Sequence, residues 1–219
     1  MTANILENQR RAARAALPWL DTHEVVGIGT GSTVRHFIEL IAADRAHIKA
    51  VVSSSNQSTR LLKAAGIPVL DLNQLTELPL YVDGADQANR ARQLIKGGGG
   101  ALTREKIIAA CARIFVCIVD STKLIPTLGS FPLPIEVIPM ASAMVARRLT
   151  AMGGRPVLRK DYVTDNGNHI LDVHGLEIEH PDAVESALNQ IPGVVTVGLF
   201  AQRPADVLLI GADTGVQQI

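Results

Sequence analysis

Apolar residues follow two rhythms along this chain. Short unbroken runs of Val, Ile and Leu alternate with stretches where apolar positions return every three or four residues, which predicts strands separated by helices. Residues 5–20 carry Ile5, Ala12, Ala13, Ala16, Leu17 and Leu20 at helical spacing. EVVGIGTGSTV follows as a strand, a glycine turn and a new helix, whose stripe is Val34, Phe37, Ile38 and Ile41. AHIKAVVSSS predicts a strand, QSTRLLKAAG a helix closed by Gly66, and IPVLDL and LPLYVDG two further strands. A helix, TREKIIAACA, is predicted to begin near Thr103, and RIFVCIVD is the strand after it. Strands that are apolar on both faces, with helices between them, imply a mostly parallel sheet covered on both sides.

The texture changes near Gly129. FPLPIEVIP reads as extended, ASAMVARRLTAMGG as a helix with a glycine stop, and RPVLRKDYVTDNGNHILDVHG as two strands around an Asn-Gly turn. HPDAVESALNQIPG predicts a helix opened by Pro181 and closed by Gly193, and VVTVGLF a strand. Strand, helix, strand, strand, helix, strand is the split βαβ order of a ferredoxin-like fold. The last strand, ADVLLIG, is expected to rejoin the first sheet. The expected architecture is an α/β domain of residues 1–129 plus 201–219, with a doubly wound, mostly parallel, Rossmann-like sheet. A smaller α+β ferredoxin-like domain would occupy residues 130–200.

Composition narrows the partners. The 219 residues include 21 Lys and Arg against 21 Asp and Glu, a formal net charge of zero, and no basic cluster marks a nucleic-acid face. No apolar run reaches the roughly 20 residues of a membrane span. MTANILENQRRAARAAL lacks the charged-then-apolar pattern of a secretory signal, so the expected compartment is the cytoplasm. Cys111 and Cys117 make no disulfide framework and are expected to be inert core thiols. His23, His36, His47, His169, His174 and His180 never fall at H-E-x-x-H spacing, so no metal site is expected. The last three are expected on the surface of the small domain.

The polar residues with chemical potential concentrate in YVDGADQANRARQLIKGGGGALTREK, from Tyr81 to Lys106. An apolar run stops at Asp83, Asp86 follows, Lys96 precedes the glycines Gly97 to Gly100, and Glu105 falls in the first turn of a helix. Glycines in a row cost conformational entropy, and a nest of their N–H groups can stabilise an oxyanion. The lysine precedes the glycines, which is the reverse of a Walker A loop. Upstream, Gly27-Ile28-Gly29-Thr30-Gly31-Ser32 has Ser32 where a dinucleotide fingerprint needs glycine, and the next strand ends in Ser53, Ser54 and Ser55 without an acid. NAD is therefore excluded. The turn suits one phosphate monoester, held by N–H groups and the hydroxyls of Thr30, Ser32 and Thr33 at a helix start. Each feature also has an ordinary structural explanation: an N-cap, a turn, an acid near a helix dipole. Taken singly those suffice; they do not explain why three acids and a lysine flank two glycine-rich turns.

GTGST, SSSNQST, YVDGAD, KGGGGALTREK, FPLPIEVIP and VTDNGNHILDVHG together resemble type A ribose-5-phosphate isomerase, almost end to end and in family order. The resemblance implies interconversion of ribose 5-phosphate and ribulose 5-phosphate in the pentose phosphate pathway, without metal or cofactor, by a homodimer. It implies that Thr30, Gly31, Ser32 and Thr33 border the substrate, with the phosphate on this loop and Lys96. Asp83, Gly84, Ala85 and Asp86, and Lys96, Gly97, Gly98 and Gly99, would line the sugar. Lys123, in the DSTK turn, would touch substrate too, and Glu105 would be the catalytic base.

That chemistry passes through an enediolate. Glu105 would move the carbon-bound proton, Lys96 and backbone N–H groups would oppose the oxyanion, Asp83 would accept the ring hydroxyl proton and Asp86 would position hydroxyls. Two positions depart from the family pattern: Gln87 replaces a further acid after DGAD, and Gln9 and Arg10 stand where the first helix usually carries lysines. Two other functions fit parts of the chain: acyl-CoA transfer with a glutamate nucleophile, and a sugar-phosphate sensor. A sensor would not need Asp83, Asp86 and Glu105 together, and it would usually carry a helix-turn-helix.

Overall fold

The computed structural model describes residues 4–20, 22–44, 48–176 and 178–219. His47 and the start of the strand expected from Ala46 lie outside the described residues. The chain forms two compact units, Met1–Ala85 with Arg104–Leu124 and Ala205–Ile219, and Asp86–Thr103 with Ile125–Pro204.

The first unit opens with α1 (Ile5–Ala15), capped by Asn4, whose side chain accepts from Glu7 N. Pro18 has no N–H to continue the ladder, so the helix expected over 5–20 ends early and a 3-10 turn, Leu17–Leu20, follows. Then come β1 (Val25–Ile28), α2 (Ser32–Ala43), β2 (Ala50–Ser53), α3 (Asn56–Ala64) and β3 (Leu78–Asp83). IPVLDL, expected as a strand, makes a single parallel bridge, Val51 to Val69, before Asp71 caps a 3-10 turn at Leu72–Gln74. The second unit begins with two very short strands, β4 (Gln87–Ala88) and β5 (Leu94–Ile95). Helix α4 (Leu102–Cys111) leads back into β6 (Ala112–Asp120). Cys117 is buried as expected, whereas Cys111 is exposed at the end of α4.

Strands β7 (Leu133–Val137), β8 (Arg155–Leu158), β9 (His169–His174) and β10 (Val194–Val197) form the second unit's main sheet. Helix α5 (Ser142–Ala151) links β7 to β8 and α6 (Pro181–Asn189) links β9 to β10, each connection passing over one strand. Its order is β10-β7-β9-β8, antiparallel throughout, which is the ferredoxin-like arrangement expected from the split βαβ pattern. VVTVGLF is not one strand. It divides into β10 and β11 (Leu199–Phe200), and β11 pairs with β5, which pairs with β4. That third small sheet is why residues 86–103 group with the second unit rather than with residues 1–129. Leu133, Ile135, Val145, Leu149, Leu171, Val173, Leu188 and Leu199 fill the core here.

The chain ends in β12 (Val207–Ala212) and β13 (Gly215–Gln218), of which β13 had no sequence signal. The first unit's sheet runs β13-β12-β6-β3-β1-β2, parallel except for the antiparallel edge β13. Val26, Ile28, Phe37, Ile41, Leu80, Val82, Val116 and Ile118 pack its core. The chain leaves β1 toward β2 and returns on the other side to β3, so β1 and β3 flank the topological switch point. In open α/β sheets ligands bind outside the carboxyl ends of strands at such a point.

Candidate active site

The carboxyl ends of β1 and β3 are joined by a buried polar network. Asp83, fully buried, accepts Thr30 N at 2.9 Å and Gly84 N at 2.7 Å on Oδ1, and the Tyr81 phenol donates to Oδ2. The Thr30 hydroxyl donates to Ser55 Oγ at 2.8 Å and lies 2.8 Å from Ser54 Oγ. Ser58 Oγ donates to Gly29 O at 2.7 Å. The Thr30 hydroxyl, expected to reach a phosphate, instead ties the first turn to the serine run of SSSNQST. A Cβ on Gly29 would fall 1.9 Å from Asp83 Cγ, and one on Gly27 would fall 2.8 Å from Tyr81 Cδ2. Two glycines of the apparent nucleotide fingerprint thus make room for the side chains of β3.

The third glycine opens α2. Gly31, at φ 126°, is its N-cap, and no side chain caps the helix. That φ and a ψ of 178° belong to a region only glycine occupies readily. Ser32 is exposed and Thr33 buried. The first turn therefore presents N–H groups and the positive end of the helix dipole, which suits an anion.

Glu105 lies in the first turn of α4 and is only 3% exposed. Its charge is felt by Tyr81. Burial most of all, then the charges of Asp83 and Glu105 and the hydrogen bond to Asp83, hold the Tyr81 phenol well above its ordinary pKa; a hydrogen bond with Ser54 offsets a part. Tyr81 thus remains a neutral donor. It was absent from the expected site residues, although Tyr81 and Asp83 alternate on one strand and so share a face.

Lys123 ends the 3-10 turn Ser121–Lys123 that follows β6. Asp120 caps this turn, accepting Thr122 N at 3.0 Å, and Gln9 Nε2 donates to Asp120 at 3.4 Å. Gln9 is therefore engaged with the turn that bears Lys123, while Arg10 is exposed.

The second unit holds Asp86, Lys96 and the glycine run. The small β4-β5-β11 sheet sets their spacing: Asp86 N donates to Ile95 O at 2.8 Å, and Lys96 N to Gly198 O at 2.8 Å. Asp86 Oδ2 accepts Gly98 N at 2.7 Å. Lys96 is 2% exposed, and its Nζ lies 5.6 Å from the Phe200 ring centroid. Gln87, expected to stand where the family has an acid, is 6% exposed and bonded on both sides. Its amide donates to Ser130 Oγ and accepts Gly129 N at 3.0 Å. Among the described residues, no group of three His, Cys, Asp or Glu side chains could hold a metal ion.

A flavodoxin-like strand order, with an uncapped helix start and the buried Asp83 at its switch point, defines an open α/β protein with a helix start that suits a small anion. Comparison makes this specific. Residues 50–215 match the family model of ribose 5-phosphate isomerase A, also called phosphoriboisomerase A. The solved ribose 5-phosphate isomerase A of Neisseria gonorrhoeae is 46% identical, with a TM-score of 0.97 over 100% of this chain and 98% of that one. A D-ribose-5-phosphate isomerase in complex with phospho-erythronic acid is 38% identical, covering 99% of both chains with a TM-score of 0.94. The Methanocaldococcus jannaschii structure is 35% identical over 97% of this chain and 98% of that one, at a TM-score of 0.92. The chain belongs to the ribose 5-phosphate isomerase A family.

Proposed function

We propose that this chain interconverts D-ribose 5-phosphate and D-ribulose 5-phosphate, an aldose–ketose isomerisation of the non-oxidative pentose phosphate pathway. The observation that carries the mechanism is Glu105, a carboxylate held 3% exposed in the first turn of a helix, close enough for its charge to act on Tyr81. Glu105 takes the C2 proton of the open-chain aldose and returns it to C1, while the hydroxyl proton moves from O2 to O1. Positioned proton transfer of this kind contributes ~10²–10⁴-fold. Lys96 and backbone N–H groups of the glycine run, other than the Gly98 N–H that Asp86 accepts, oppose the charge of the enediolate.

The phosphate is assigned to the uncapped start of α2, at Gly31, Ser32 and Thr33, with Lys123 as a further cationic contact. Thr30 orders this turn through its hydrogen bonds. Of the two aspartates, Asp86 suits ring opening better. Asp83 is fully buried and already accepts three donors, so its part is to hold the turn. Asp86 is only part-buried, with one oxygen on Gly98 N. Gly84 and Ala85 carry the chain between the two acids. Base and counter-charge both come from side chains, so the reading calls for neither metal nor cofactor. We further propose that the enzyme works in the cytoplasm as a homodimer. No described helix is long and apolar enough to cross a membrane. Purified protein with ribose 5-phosphate should form ribulose 5-phosphate, followed by NMR; an inert protein that is folded and free of inhibitor would refute the assignment.

A further inference from the structure

The glycine run is gripped from behind by the segment after β8. The Asn-Gly turn expected to join β8 and β9 directly lies at the far end of a longer loop, 159–168. Arg159 opens this loop. Its guanidinium forks onto Asp172, Nε to Oδ2 at 2.9 Å and Nη2 to Oδ1 at 2.6 Å. Its Nη1 then donates to Gly97 O at 3.3 Å and Gly98 O at 3.2 Å. Tyr162 donates to Gly99 O at 3.1 Å, and the Arg159 guanidinium lies 5.3 Å from the Tyr162 ring centroid. Three successive carbonyls of the run are thus held by two side chains.

The loop that carries them is fixed at both ends. Arg159 N donates to Ile170 O at 2.9 Å. Beyond Tyr162, the fully buried Glu136 accepts from Thr164 Oγ1 at 2.9 Å, Asn166 Nδ2 at 3.1 Å and Asn168 Nδ2 at 2.8 Å. Between them Asp161 adopts φ 52°, a strained conformation that turns the chain at Tyr162. Gly100 fits this arrangement: a Cβ there would stand 1.9 Å from Tyr162 Oη. The fourth glycine makes room for the tyrosine.

A trans peptide is planar, so its C=O and N–H point in opposite directions. Holding Gly97 O on Arg159 turns the Gly98 N–H away from the guanidinium, and that N–H donates to Asp86. Holding Gly98 O likewise turns the Gly99 N–H away, while the Gly100 N–H donates to Gly97 O at 2.9 Å. Gly98 and Gly99 are exposed on the run. We propose that Arg159 and Tyr162 are positioning residues for the isomerisation, which aim the Gly99 N–H at the oxygen where enediolate charge develops. This rests on the reading of the glycine run as the sugar-binding backbone.

The test uses the full chain with Tyr162→Phe, which removes one hydroxyl, and with Arg159→Lys and Arg159→Met. The readouts are kcat and KM for ribose 5-phosphate, and inhibition by 4-phospho-erythronate and by inorganic phosphate. The four-carbon acid carries its carboxylate where an enediolate carries charge; inorganic phosphate probes only the anion subsite. Arg159→Met should lower kcat at least ~10-fold, within the cost of slight misplacement of a catalytic group. It should weaken 4-phospho-erythronate in proportion and leave inorganic phosphate unchanged. Arg159→Lys should not rescue, because lysine has no fork. Tyr162→Phe should move the same quantities in the same direction by less. Wild-type kcat in Tyr162→Phe and Arg159→Lys would overturn the proposal, as would equal weakening of both inhibitors. An inactive wild type would instead refute the isomerase reading beneath it.

Discussion

The Tyr81 phenol donates to the Asp83 carboxylate two residues along the same strand, and both side chains are fully buried. The relationship has a pH signature. The phenol's pKa is raised on folding above its ordinary value of 10.0, mainly by burial. Below that value Tyr81 is neutral in both states, and its contribution to stability is fully present. As pH rises above it, the unfolded chain releases the proton first, so that contribution is progressively lost. Tyr81→Phe should cost ~1.5–3 kcal/mol at neutral pH, as for a hydrogen bond to a charged group. The gap from wild type should narrow at alkaline pH. Urea unfolding of both proteins across this range checks it; a gap that widens above pH 10 contradicts the assignment.

Gln87 bridges Ser130 Oγ and Gly129 N, a role that an isosteric acid can largely keep. In Gln87→Glu the Ser130 hydroxyl can turn to donate, and the other carboxylate oxygen still accepts Gly129 N. We expect kcat at the pH optimum to stay within about tenfold, or ~1.4 kcal/mol, of wild type. Gln87→Ala should destabilise by ~1–3 kcal/mol, because it strips partners from part-buried groups. A Gln87→Glu enzyme with kcat reduced far beyond tenfold would show that the amide acts in the chemistry.

Much of this was legible in the chain. Continuous apolar runs marked β1, β3 and β6, and the split βαβ pattern marked the ferredoxin-like sheet, because periodicity and turn chemistry are local. Two-residue strands have no period to read, so β4 and β5 carry no signal and β11 merges with β10 in VVTVGLF, and the placement of Asp86 and Lys96 is hidden with them. The site shows the same division. Glu105 and the GTGST turn stood out by residue type. Tyr81 did not, since a tyrosine in an apolar strand looks like core, and its bond to Asp83 is visible only once both side chains are placed. Arg159 and Tyr162 meet Gly97 to Gly99 only through an approach of distant segments, which neither spacing nor composition encodes.

Gly100 and Tyr162 should behave as a coupled pair. Gly100→Ala places a Cβ 1.9 Å from Tyr162 Oη and also strains φ, which is 80°. Tyr162→Ala removes the first cost and leaves the second, worth ~1–2 kcal/mol. Measured by urea unfolding, Gly100→Ala should therefore cost less in the Tyr162→Ala background, with coupling within the ~0.5–3 kcal/mol seen for residues in contact. Simple additivity would mean that the ring moves aside freely.

The uncapped start of α2 predicts a phosphate requirement. Binding energy from a group remote from C1 and C2 orients the reacting carbons, so its loss lowers kcat and not only affinity. Ribose should react far more slowly than ribose 5-phosphate under kcat/KM conditions. Gly31→Ala, which forces a side chain into φ 126°, should raise KM for the phosphate ester while changing little for ribose. Comparable kcat/KM for the two sugars would remove the anion from this turn.

Glu105 offers the sharpest test, because two accounts of one residue predict different measurements. As the base, it removes the C2 proton and delivers it to C1 on one face of the enediolate. It holds the proton only briefly, and solvent exchanges it in competition. Substrate deuterated at C2 should then yield product with part of the deuterium at C1, and the part retained should be greater the better water is excluded. Glu105→Gln preserves shape and removes the base, so kcat should fall at least ~10²-fold. KM should move much less, since the phosphate is assigned to α2. If Glu105 serves only the dipole of α4, the same substitution costs ~0.3–1 kcal/mol of stability and spares catalysis. Kinetics and a melting curve on one variant separate these outcomes. A folded Glu105→Gln enzyme with near-normal kcat would take Glu105 out of the mechanism and leave Asp86, the part-buried acid beside the glycine run, as the next base to test.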